Sequence, residues 1–100
     1  MDKPSKKELR KLCFNKKDIL EKLLSNMKLV ISEDINIYFN TDNIEEKKRI
    51  VHKSVTLFAM LGMFQSSNNA KIYDESIHSL KVLKKKEFEE SLLIAYNFLK

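Results

Sequence analysis

The chain has 100 residues, 43% of them hydrophobic, with 19 basic against 14 acidic residues for a net charge of +5. That leaves room for one domain, 1–100, with a modest core, and none for a second. Nearly all the basic residues are lysine, with arginine only at Arg10 and Arg49, so the excess charge suits solubility or an acidic surface better than bidentate readout of bases and phosphates.

A single glycine, Gly62, and a single proline, Pro4, cannot supply the punctuation that hairpins and βα turns require, which predicts an all-α fold. Behind Pro4, Ser5 and Glu8 form a capping box for a first helix whose apolar face is Leu9, Leu12 and Cys13. Asn15, with Asp18 near the first turn, offers a cap for a second helix. Its face runs through Ile19, Leu20, Leu23, Leu24, Met27, Val30 and Ile31, the clearest helical periodicity in the chain. Residues 34–39 alternate at period two as a short strand would. No partner strand is equally convincing, so they read as continued or frayed helix.

The third helix, about residues 43–65, follows Asn40-Thr41-Asp42-Asn43, with Asp42–Glu45 and Asn43–Glu46 as competing capping boxes. Its second half is apolar on every side. Val51, Val55, Phe58 and Gly62 make one line and Ile50, Leu57, Leu61 and Phe64 flank it, while Met60 and Met63 close the polar strip through His52, Lys53 and Thr56. Such a rod must be enclosed by neighbouring helices or by a second molecule. The apolar run 55–64 is far shorter than the roughly 20 residues that cross a bilayer, so it reads as a core helix and no membrane insertion is expected. Residues 66–69 read as a loop. The last third divides into 72–83 and 87–99, with the lysines at 84–86 marking a bend or one exposed turn, and Lys85 and Lys86 able to pair with Glu89 and Glu90. These elements predict a small four- to five-helix bundle around the central helix.

Chemistry-bearing residues are few. One cysteine, Cys13, excludes an intrachain disulfide and sits on an apolar face where it acts as a small hydrophobe. With no apolar run of signal-peptide length behind the first lysines, a cytoplasmic location is expected. Cys13, His52 and His78 share no zinc-type spacing, and one glycine cannot build a phosphate-cradling loop, so neither metal nor cofactor is expected. Arg49 and His52, one turn apart, are residue types that acid–base cleavage of RNA would use, but a solvated rim with Glu45 paired to Arg49 is simpler. The expectation is a protein that is not an enzyme. A helix-turn-helix around Leu61-Gly62 fits poorly, because the following segment lacks a basic recognition helix.

Two surfaces remain as candidates. Met60, Met63, Phe64 and Tyr96 are adaptable or aromatic side chains in excess of what a small core needs, and they point to a protein partner or a homodimer. Lys3, Lys6, Lys7, Arg10, Lys11, Lys16 and Lys17, opposed only by Asp2 and Glu8, form a basic stripe for nucleic acid or an acidic partner. Phe14 is the one aromatic near it. In composition the chain resembles bacteriocin immunity proteins, secretion chaperones, antitoxins and phage-encoded inhibitors alike. That resemblance implies an inhibitor, immunity, chaperone or adaptor type of interaction module.

Overall fold

The computed structural model describes residues 2–100, so that of the expected 1–100 domain Met1 lies outside the described residues. Five helices follow one another: α1 (Lys6–Leu12), α2 (Lys17–Asn40), α3 (Ile44–Met60), α4 (Phe64–Ser76) and α5 (Lys85–Leu99). No strand occurs among the described residues.

Ser5 caps α1 by accepting from the Lys7 amide (3.1 Å), and Glu8 pairs with Lys11 instead of closing the predicted box. Asn15 is not the cap of α2. It lies at φ 60 beside Phe14 at φ 53, and these two left-handed residues turn the chain between α1 and α2. Through residues 34–39 α2 continues unbroken, because its buried residues Met27, Ile31, Asp34 and Tyr38 recur at helical spacing. At the start of α3 the Asn43 side chain accepts from the amides of Glu45 (2.9 Å) and Glu46 (3.2 Å). Thr41 completes this cap, its hydroxyl oxygen accepting from the Asn43 amide and its proton going to Glu46.

The central helix ends five residues earlier than its apolar pattern predicts. Gly62 at φ +76 closes a Schellman turn, in which the Met63 amide donates to Phe58 O (2.8 Å) and the Gly62 amide to Ala59 O (3.0 Å). Phe64 therefore opens α4, and residues 66–69, expected as a loop, are helical. The cap that makes this possible comes from far away in sequence. The Asp2 carboxylate accepts from the amides of Gln65 (2.7 Å) and Ser66 (3.3 Å) and from the Ser66 hydroxyl, while the Ser5 amide donates to Leu61 O (2.8 Å). Behind Ser66, the Ser91 hydroxyl donates to its oxygen (2.8 Å), which allows two buried serines at the α4–α5 contact. The segment expected as helix 72–83 is helical only to Ser76, and Lys84 at φ 64 bends the chain into α5.

Packing follows from these turns. α3 and α4 form the tightest pair, α5 lies against α4 and α2, and α1 touches α2 and α3. Phe88 of α5 sits at the centre of an aromatic cluster, 5.3 Å from Tyr38, 5.4 Å from Tyr73 and 6.0 Å from Phe58 between ring centroids. The molecule measures 45 × 23 × 17 Å, its long dimension set by α2. α3 is not fully enclosed: Val55, Leu57, Ala59 and Met60 are only half-buried.

Substitutions at two positions test the α3–α4 turn. Gly62→Ala forces a side chain into a left-handed residue and places its Cβ 3.2 Å from Glu8 Cγ, so urea denaturation should show a loss of about 1–2 kcal/mol. Removing the cap in Asp2→Ala should cost about 1 kcal/mol, with Asp2→Asn recovering part of it.

Candidate functional site

Between α2 and α3 an open apolar groove of about 320 Å³ remains uncovered. Val30 and Ile31 line it from α2, Leu57 and Met60 from α3, and Leu92 of α5 reaches it from beneath. Ile31 and Leu92 are 1% exposed and form a floor, whereas Val30 at 37% is rim. One end carries the ion pair Asp34–Lys53 (3.0 Å). Ser54, which also lines the groove, spends its hydroxyl on Ile50 O (2.7 Å), so the wall presents little free polarity. Thr56 and Met60 continue into a second depression of about 220 Å³ with Ala59, Glu8 and Leu12, the last 56% exposed. Met60, with Thr56, is thus the shared wall of a band lined from four helices, α1, α2, α3 and α5.

Of the four predicted apolar contact residues, Met60 lies in this band. Met63 does not reach a surface at all: it is fully buried beneath the α3–α4 turn, and the Schellman geometry that ends α3 turned it inward. Phe64 is 60% exposed at the start of α4, and Tyr96 is half-buried on α5 with the Lys100 ammonium 6.0 Å from its ring centre. Val30, Leu57 and Leu92 were not anticipated as a site. The available signal was the apolar pair Leu29-Val30, which widens α2's apolar stripe beyond what one core face needs.

The predicted basic residues are all exposed. Lys6, Arg10 and Lys17 line one shallow depression with Asn15, Leu20 and Glu21, while Lys11 is 3.4 Å from Glu8. Phe14, beside Asn15, is 82% exposed. Cys13 is buried, as its apolar face requires.

Charged residues on the other side of α3 tie it to α4. Asp74 accepts from Lys48 Nζ (3.0 Å) and faces His52 Nδ1 (2.9 Å), and Lys48 also donates to the Asp74 carbonyl (2.8 Å). Burial pushes the Asp74 carboxyl up, but His52 and Lys48 outweigh it and hold the group below its ordinary value. Glu45 reaches His78 (2.7 Å) and not the Arg49 expected for it. An imidazole held by a carboxylate has acid–base geometry, yet the His52 side chain is 78% exposed in an open depression, which suits a surface tie between helices.

At the far end of the bundle, Tyr38 donates to Glu89 (2.7 Å) and meets the Tyr73 hydroxyl at 2.9 Å. Burial, chiefly, raises both phenols above their ordinary values, that of Tyr38 well above, so they stay neutral. Glu89 is thereby drawn inward instead of pairing with Lys85, and the ion pair of the lysine run is Lys84–Glu87 (3.6 Å). Among the described residues no group of three His, Cys, Asp or Glu could hold a metal ion, and no helix is long and apolar enough to cross a membrane.

The lowered Asp74 value has a definite sign in the pH dependence of stability. A carboxyl whose folded value lies below its unfolded one contributes fully above the unfolded value, and the contribution is lost as pH falls through the folded one. Thermal unfolding of Asp74→Asn should therefore show a deficit of about 1 kcal/mol at neutral pH, shrinking as pH falls below the carboxylate range. Compared with known protein families, curated proteins and solved structures, the chain matches none of them at a significant level, which leaves its own surfaces as the basis for function.

Proposed function

We propose that this chain is a non-enzymatic interaction module that takes an apolar segment of a partner protein into the α2–α3 groove. The observation that carries this reading is the groove itself: apolar walls, a buried floor at Ile31 and Leu92, and a charged pair confined to one end. Apolar contacts along the walls supply affinity, and Asp34–Lys53 at one end gives orientation. Met60, unbranched and half-buried at the junction of the two depressions, adapts its shape to an incoming side chain. A second copy of the chain is the other possible occupant, since the same groove would serve a homodimer.

Val30→Asp tests this at a rim position where a charge does not enter the core, and Met60→Asp tests the shared wall. Immobilised protein incubated with nuclease-treated native lysate should retain a protein whose recovery drops about ten-fold or more with either variant, with unchanged far-UV circular dichroism. Sedimentation velocity identifies the homodimer, if that is the occupant, by its dissociation in the same variants. A monomer that retains its captured protein in both variants overturns the reading.

One observation favours a second reading, in which the α1–α2 corner contacts nucleic acid. Phe14, exposed and left-handed, stands beside the depression where Lys6, Arg10 and Lys17 meet, which combines a stacking surface with phosphate-neutralising charge. Its mark would be affinity for single-stranded DNA or RNA that falls steeply with salt, weakens in Phe14→Ala and disappears when Lys6 and Arg10 are both changed to Gln. Absence of binding at low salt removes it.

A further inference from the structure

We propose that the segment joining α4 to α5 is a docking loop for the surface of an anionic lipid bilayer. Ile77 anchors its start in the core, at 5% exposure. Beyond it Leu80 is fully exposed, and Val82 and Leu83 are 42% and 43% exposed. Single apolar residues on a surface are ordinary, but here three stand within four positions, with Lys81 between them and lysines at 84–86 directly after.

This exposure is built into the loop. The Leu83 amide donates to Ser76 Oγ (2.9 Å), the Ser79 amide donates to Ser76 O (2.9 Å), and Ser79 Oγ lies 2.7 Å from the carbonyls of both Ser76 and Lys81. Two serines therefore hold the backbone, and Leu80, Val82 and Leu83 are left facing water together with Lys81.

Neither local conformation nor helix electrostatics accounts for the lysines. Lys84 occupies a left-handed position at φ 64, and Lys85 and Lys86 stand in the first turn of α5, where the positive end of the helix dipole disfavours cations. Glu87 alone offsets them in that turn. Stability of the fold explains neither these charges nor an exposed Leu80. A bilayer interface accounts for both: shallow insertion buries Leu80, Val82 and Leu83 at the headgroup boundary, and the lysines meet the negative surface. A nucleic-acid backbone would engage the lysines and leave the apolar side chains wet. The proposal concerns attachment to a surface, with no helix crossing the membrane.

Co-sedimentation of the full chain with vesicles tests it. Phosphatidylcholine vesicles containing about one-third phosphatidylserine should bind the protein, binding should fall as salt rises, and pure phosphatidylcholine should bind far less. Lys84→Gln and Lys85→Gln should each lower partitioning about five-fold at low salt. Leu80→Ser should lower it by at least as much, and because Leu80 makes no core contact the fold should be unchanged by circular dichroism. Changing Lys6 and Arg10 together, near the start of α2 and away from the loop, should leave vesicle binding intact. The proposal is overturned by absence of vesicle binding, by equal binding to neutral vesicles, by indifference to Leu80→Ser, or by loss in the Lys6 and Arg10 variant alone. Duplex DNA binding that needs the loop lysines but not Leu80, without vesicle binding, assigns the lysines to nucleic acid instead.

Discussion

The apolar face of α3 is the constraint around which the chain is arranged. Ile50, Val51 and Phe58 are excluded from water completely, and the other four helices are placed so as to exclude it. Burying each such side chain contributes roughly 1.5–3 kcal/mol, more than any single surface ion pair in the molecule can offer. A 100-residue chain, however, has little surface with which to cover a helix whose last turns are apolar on most sides. α4 and α5 cover the side of α3 that bears Phe58, α1 reaches its last turns, and α2 approaches across the groove without closing it. The open band at Leu57 and Met60 is what remains of a demand that the fold meets incompletely.

Buried polar groups decide how the covering helices are held. Asp2, Ser66 and Ser91 link the N-terminal segment, the start of α4 and the middle of α5, while Tyr38, Tyr73 and Glu89 link the ends of α2 and α4 to the start of α5. Hydrophobic burial is non-directional, so apolar contacts alone would tolerate several rotations of α4 and α5 about their axes. A donor or acceptor that must find its partner in the interior does not, because leaving it unpaired costs the desolvation of that group. Both networks hold α5 between Phe88 and Leu92, through Glu89 and Ser91, and so fix the register in which the aromatic cluster closes. The groove inherits its shape from that register, since its floor residue Leu92 lies one helical turn from Phe88 and directly follows Ser91.

Three surface regions stand apart from this economy. The groove, the α1–α2 corner with Phe14, and the α4–α5 loop with Leu80 each leave apolar side chains open to water, and the last two add left-handed residues other than glycine. Departures from local preference of this kind concentrate where a chain meets something else.

Composition and periodicity were enough to establish helices, their approximate number and the central place of α3, because the spacing of Ile50, Val51 and Phe58 and the absence of turn residues act within a few positions of sequence. The start of α3 was legible for the same reason: Asn43 caps its own neighbours. What lay outside local reach was decided by tertiary structure. Residues 66–69 look like a loop because their cap, Asp2, stands more than sixty positions away. Met63 looks like surface when α3 is extended through it and becomes core once Gly62 turns the chain. Phe64 goes the other way and emerges at the start of α4. Glu89 is spaced to pair with Lys85, and Tyr38 draws it inward instead. The candidate groove could not be read from any one segment, because its walls come from α2 and α3 and its floor from α5. Sequence determines which faces must be buried, through spacing along one helix; which of them stay open depends on the angles and register between helices, and those exist only once the chain has folded.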